Sequence, residues 1–190
     1  LALSSDERIL ATASGSTIRF MNVDSRAFDE RTLTHSSAFT MVAFCPGSPL
    51  LLAGDWEGQV SVWNTETGQL DGTPWEHGSA VLGVTVSPDG KTAATCELNH
   101  QARLWEIETG KQVGSSLMHS GMVGHVSFSS DGRQLVTGCA DQVARVWDVT
   151  TGRLIGSALH HSSIVNVAIF NADDDFIWTG CGDQGLRRWK

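Results

Sequence analysis

A hydroxyl, an imidazole and a carboxylate are together the ingredients of ester or amide cleavage, and they recur at matched spacing in this 190-residue chain. His119, Thr137 and Asp141 form one set, and His161, Thr179 and Asp183 repeat it at the same offsets. In His77, Thr95 and Asn99 an amide stands where the acid would be. In a hydrolase the imidazole takes the proton of the attacking hydroxyl while the carboxylate orients the ring. A nucleophile is needed only once, however. Here each set is matched to an indole 28 positions beyond its histidine: Trp105, Trp147 or Trp189. That recurrence argues for structure over catalysis, and no catalytic residue is expected.

The other candidates for chemistry are weaker. His160 stands beside His161 as a neighbour, not as a second metal ligand. Asp173, Asp174 and Asp175 lack the alternating spacing and glycine of a calcium loop, so a solvated turn is expected. Arg19, Arg103, Arg145 and Arg187 recur just ahead of the closing aromatic of their segments, which suits structural ion pairs better than phosphate ligands. Cys45, Cys96, Cys139 and Cys181 show no C-x-x-C spacing and read as small buried residues in a reducing compartment. There is no phosphate loop, zinc spacing or G-x-S-x-G. Neither a metal nor a cofactor is expected.

The elements that position these residues follow from a period of 42. Trp63, Trp105, Trp147 and Trp189 keep that step, as do His35, His77, His119 and His161. Two residue types holding one period over four copies identify a tandem repeat. Apolar residues fall four, seven and nine positions after each histidine, as in Val123, Val126 and Phe128. A step of three and then of two marks a strand with a β-bulge. Turn signals follow at Ser87-Pro88-Asp89-Gly90 and Ser129-Ser130-Asp131-Gly132. A short second strand, a third ending at the tryptophan and a more polar fourth complete the copy. Helical periodicity is absent, so the reading is all-β, with four-stranded antiparallel blades.

An indole donates, a hydroxyl does both, a neutral imidazole does one on each nitrogen, and a carboxylate accepts. In the order Trp, Thr, His, Asp these groups can satisfy one another inside a blade. The sets His119-Thr137-Asp141-Trp147 and His161-Thr179-Asp183-Trp189 resemble the hydrogen-bonded tetrad of WD-repeat β-propellers, and the resemblance spans essentially the whole chain. The copies depart from it in places. Asn99 replaces the acid beside Trp105; before Trp63, Ala53 replaces the hydroxyl and Glu57 the aspartate; the first copy closes on Phe20. Blade integrity is therefore expected to rise towards the C-terminus.

Units end near Phe20, Trp63, Trp105, Trp147 and Trp189, the first and last incomplete, within one propeller region spanning residues 1–190. About four and a half blades suggest an open arc of a seven-bladed ring, part of a longer chain with the remaining blades elsewhere in it. The formal charge of −8 without a Lys or Arg cluster disfavours nucleic acid and membrane surfaces as partners. No apolar run approaches a helical membrane span of about 18–20 residues. A cytoplasmic location is expected.

The resemblance implies that a partner protein or peptide is held on the face carrying the loop after each histidine and the turn between second and third strands. Trp56, Leu82, Leu98, Met122 and Ile164 are the candidate contact residues there, with Trp56 first. Trp75 and Trp178 occupy positions that are apolar in sister copies and are expected in the core. The expected function is a non-catalytic interaction scaffold or sensory platform. The alternative is a C-terminal regulatory propeller of a larger bacterial serine/threonine kinase or NTPase, suggested by the repeated G-x-x-x-G-S/T-x-x-x-His stretch at 68–77, 110–119 and 152–161.

Overall fold

A computed structural model describes residues 1–190, and its twenty regular elements are all strands. They form five antiparallel sheets in chain order, each with its first strand innermost. Blade I comprises β1 (Ala2–Leu3), β2 (Ile9–Ser14), β3 (Thr17–Asn22) and β4 (Phe28–Thr34). Blade II comprises β5 (Phe39–Phe44), β6 (Leu50–Asp55), β7 (Gln59–Asn64) and an outer strand split into β8 (Gln69–Leu70) and β9 (Trp75–Glu76). Blade III comprises β10 (Val81–Val86), β11 (Thr92–Glu97), β12 (Gln101–Glu106) and β13 (Lys111–Met118). Blade IV comprises β14 (Val123–Phe128), β15 (Gln134–Cys139), β16 (Val143–Asp148) and β17 (Leu154–His160). Blade V has three strands, β18 (Val165–Phe170), β19 (Ile177–Cys181) and β20 (Leu186–Trp189).

The phase shift in the apolar pattern is a bulge in every inner strand that follows a histidine. Register slips at Thr40, Leu82, Gly124 and Asn166. The slip brings the fourth, seventh and ninth positions after the histidine to one face despite their uneven spacing. In blade II the extruded Thr40 hydroxyl bonds Gly54 O at 3.0 Å and also reaches Val81 O of blade III. At the turn that follows blade III's inner strand, Ser87 Oγ donates to Asp89 at 2.7 Å, and Gly90 takes φ +70°. An alanine there would place its Cβ 2.7 Å from Pro46 O of the preceding blade.

The cores lie between blades. Small residues of one leading face, such as Ala94, Cys96 and Ala102, meet Val123, Val126, Leu135 and Trp147 from the trailing face of the next. A buried tryptophan removes roughly 200 Å² from water, worth about 5 kcal/mol before ordering costs. Small residues opposite it let the sheets approach. This explains Trp75, 4% exposed and stacked on Trp105 at 5.3 Å between ring centroids.

Two sequence expectations change here. Thr12 pairs with Arg19, as Thr95 pairs with Arg103, so the counterpart of the tryptophans in blade I is Met21. Phe20 faces the other way, buried with Ile18 against blade II. A single-residue offset in a strand reverses the face, and aromatic character alone misassigned it. Trp178 shares its position with Leu52, Ala94 and Val136, all fully buried, yet it is only half-buried. Leu186 is 70% exposed, whereas its counterparts Val60, Ala102 and Ala144 are completely buried. Strand packing joins each consecutive pair of blades, with nothing comparable between the first and fifth, so the leading face of blade V is uncovered.

The turn between second and third strands demands a left-handed residue. Gly58 supplies it in blade II, while His100, Gln142 and Gln184 adopt φ +72°, +69° and +66° in the later blades. A side chain at such a φ costs roughly 1–2 kcal/mol. Gln142→Gly is therefore expected to raise stability by about 0.5–1 kcal/mol in urea unfolding, the strain relief exceeding the entropy glycine adds to the unfolded chain.

Candidate functional site

The histidine of each set ends the outer strand of one blade, and its hydroxyl and indole partners stand on the second and third strands of the next. His119 follows β13 of blade III, whereas Thr137 and Trp147 lie on β15 and β16 of blade IV. The Thr137 Oγ accepts from Trp147 Nε1 at 3.0 Å and bonds His119 Nε2 at 2.8 Å. His119 Nδ1 is 3.0 Å from Leu117 O. A carbonyl only accepts, so Nδ1 carries the proton, Nε2 is bare, and the Thr137 hydroxyl donates to it. The neutral tautomer is thus determined by its partners.

The same geometry recurs at His77, Thr95 and Trp105 (2.9 and 2.9 Å about the hydroxyl) and at His161, Thr179 and Trp189 (2.7 and 2.8 Å). Each second imidazole nitrogen meets the carbonyl two residues back, Trp75 O or Leu159 O. The expected order Trp, Thr, His, Asp therefore stops at the histidine, and the cluster ties two blades together instead of stapling one. No carboxylate orients these rings, so the arrangement does not form a hydrolytic relay.

The acids serve the rim. Asp141 accepts from Ser120 N at 3.1 Å and from Val143 N at 3.1 Å, and pairs with Arg145 at 2.8 Å. Burial pushes this carboxyl up, but Arg145, the Cys139 thiol and the Ser120 amide outweigh it and hold it at about 2. Asp183 is gripped by Arg187, the Ser162 hydroxyl and Gly185 N, and lies well below the usual carboxylate range. The recurring arginines are thus ion-pair partners in blades IV and V.

Blades II and III solve the same problem with an acid two positions earlier, which reading by tetrad offset missed. Glu97, fully buried, lies 2.7 Å from Arg103 Nε, though the N–H does not point along the contact. Burial raises the Glu97 carboxyl against the pull of Arg103. Asn99, expected as the acceptor, leaves its Oδ1 without a partner. In blade II the buried Asp55 accepts from Gln59 N at 2.8 Å and faces His35 Nδ1 at 3.4 Å, while Glu57 is exposed. With Ala53 in place of a hydroxyl, Trp63 Nε1 has no acceptor. The signal was present in sequence: Asp55 and Glu97 stand where sister copies have Cys139 and Cys181, whose thiols donate to Gly121 O and Ser163 O at 3.2 Å.

The cluster is most enclosed in blade IV, where His119 and Trp147 are each 9% exposed and Thr137 is fully buried. In blade V the histidine and tryptophan are half-buried. Enclosure therefore peaks in the fourth blade instead of rising to the end, because Trp189 lies on β20, the unpaired edge of the three-stranded fifth sheet.

The candidate contact residues sit in pairs on the rim at the other end of the strands from the Ser87–Gly90 turn. Trp56 N bonds Ala38 O at 3.2 Å, Leu98 N bonds Ala80 O at 3.0 Å, Ala140 N bonds Met122 O at 2.8 Å and Gly182 N bonds Ile164 O at 2.8 Å. The loop after each histidine is thereby fastened to the turn between second and third strands. Trp56, Leu98 and Ile164 are 58%, 45% and 42% exposed. Met122 is half-buried, and Leu82 leans into the core between blades III and IV, which withdraws it from the rim.

A family model described as WD domain, G-beta repeat matches residues 29–64, 68–106 and 110–148, together more than half of the chain. Each matched stretch takes in the outer strand of one blade and three strands of the next. No curated protein matches the chain.

Three outcomes follow from the clusters. Thr137→Val leaves two buried polar atoms unpaired and is expected to cost about 2–4 kcal/mol in chemical unfolding. Hydrogen exchange is expected to be faster over residues 50–63, with the orphaned indole, than over 134–147. Burial depresses His77 and His119 to about 4 in the folded chain, from an ordinary value of 6.5. Between those values the unfolded chain binds more protons than the folded one, so stability is full above pH 6.5 and is lost as pH falls towards 4. The loss is roughly 3 kcal/mol per histidine, and melting temperatures measured from pH 8 to 4 test it.

Proposed function

Because the chain belongs to the WD domain, G-beta repeat family, we propose that it is a non-catalytic interaction module that holds a partner protein or peptide on the rim carrying Trp56, Leu98 and Ile164. Repeats of this family generally mediate protein–protein contact, and their propellers are typically scaffolds. The observation that carries the reading here is the exposure of three large apolar side chains on that rim.

The physical logic is that of a rigid support with variable tips. Hydrogen bonds fasten both loops of each pair, so a partner meets side chains already ordered, and the cost of ordering them is small. Trp56 offers the largest apolar surface and an indole N–H, the combination that dominates binding energy in protein interfaces. Leu82 and Met122 support their neighbours more than they meet a partner. Four buried free thiols suit a reducing, cytoplasmic setting.

Cross-linking from the rim, followed by mass spectrometry, tests the reading when wild type is compared with Trp56→Ala. Partners cross-linked by the wild type are expected to be lost or reduced at least about tenfold in the variant, corresponding to a contact of roughly 1.4 kcal/mol or more. Cross-links that persist undiminished, or that map to the outer strands, would remove the rim from consideration.

A further inference from the structure

The opposite end of the strands carries a cleft between blades II and III that the family reading leaves unassigned. Its volume is about 610 Å³, within the range of specific ligand sites. It arises from the break between β8 and β9, where Gly72 takes φ +80° and Pro74 has no N–H to give. Outer strands β13 and β17 run unbroken in the blades that follow. In blade II, Gly72 and Thr73 make no backbone hydrogen bond, so an extended chain finds free main-chain groups in the wall.

Trp75 lies at the base. Its counterparts Leu33 and Leu117 pack beside Gly68 and Gly152, whereas the Trp75 Nε1 edge lies against Gly110, 2.8 Å from where a Cβ would stand. Only glycine fits there. Although 96% of this side chain is buried, its Nε1–H finds no acceptor in the protein, and both Trp75 and Gly110 line the cleft. This N–H opens onto the cleft, where an acceptor on a guest can take the place of solvent.

The charge around it selects which guest. Asp71, Asp89 and Glu108 line the cleft against a single cation, Lys91. Asp89 is already occupied by the Ser87 hydroxyl at 2.7 Å and Lys91 N at 3.1 Å. Asp71 and Glu108 are exposed and make no ion pair. Anions are therefore repelled, and an uncharged acceptor flanked by positive charge is favoured. A peptide carbonyl between basic side chains has that chemistry.

We propose that the cleft between blades II and III binds a basic, extended peptide segment whose main-chain carbonyl accepts the Trp75 indole N–H while its Arg or Lys side chains meet Asp71 and Glu108. The segment lies along the gap between β8 and β9 and adds main-chain bonds to Gly72 and Thr73, a short form of strand addition. This site is independent of the Trp56 rim, which is at the other end of the strands.

The probe is the capped peptide Ac-Gly-Arg-Gly-Arg-Gly-NH2, titrated into the 190-residue chain at low ionic strength and followed by indole fluorescence and calorimetry. Saturable binding that weakens as salt rises is expected. Trp75→Phe keeps a ring and removes the N–H, and should weaken binding about threefold to tenfold. The exposed pair Asp71→Asn with Glu108→Gln leaves the core untouched and should weaken it at least about fivefold. Trp56→Ala should leave the affinity unchanged, which separates this site from the rim. Three results overturn the proposal: unchanged affinity in the Asn/Gln variant, equal binding of Ac-Gly-Glu-Gly-Glu-Gly-NH2, or spermidine binding as tightly as the peptide in both wild type and Trp75→Phe.

Discussion

One hydroxyl group, accepting from an indole and donating to an imidazole, is the interaction on which the architecture turns. Thr137 does both at once, and its two partners come from different sheets. Sheets packed only through apolar faces could slide, since dispersion has little directional preference. A threonine that must meet both Trp147 Nε1 and His119 Nε2 removes that freedom, because any displacement leaves polar atoms unpaired in a low-dielectric interior. The same argument explains why the imidazole is kept neutral: Nδ1 must donate to a carbonyl, and Nε2 must have no proton of its own.

The rest of each blade accommodates that constraint. Small residues on the leading faces leave room for the next tryptophan. The bulge in each inner strand that follows a histidine puts unevenly spaced apolar residues on one face, and in blades IV and V the acid–arginine pairs fasten the rim loops. Where the hydroxyl is missing, at Ala53, His35 Nδ1 accepts from Ser37 N at 3.3 Å and lies 3.4 Å from Asp55. The indole left behind, Trp63, keeps its packing and loses only its polar partner.

Much of this was legible in the sequence. The 42-residue period, the bulge, the outer strands and the recurring His, Thr and Trp all depend on local chemistry or on spacing, which a sequence displays directly. The readings that changed depended on register or on partners across space. Phe20 and Met21 differ by one position, and only strand pairing decides which of them shares the face of the tryptophans. Asp55 and Glu97 were missed because the acid was sought at a single offset, while the space below the rim can be reached from either of two. Leu82 had the right address for the rim but was taken up by the core between blades. The cleft beside Trp75 could not be read from a pattern at all, since it comes from a break in one outer strand.

Because a histidine and its threonine belong to one sequence repeat but to two adjacent sheets, the segment that would be duplicated in a gene differs from the segment the eye isolates in space. A recombination joint placed just after a tryptophan, ahead of the next outer strand, would transfer hydroxyl, ring and indole as an intact set. A joint placed between sheets, at residue 79 or 121 for instance, would strand the imidazole with a foreign neighbour. Arrays of this kind can therefore lengthen or shorten by whole repeats only in one phase, and that phase is set by chemistry hidden at the seam between blades.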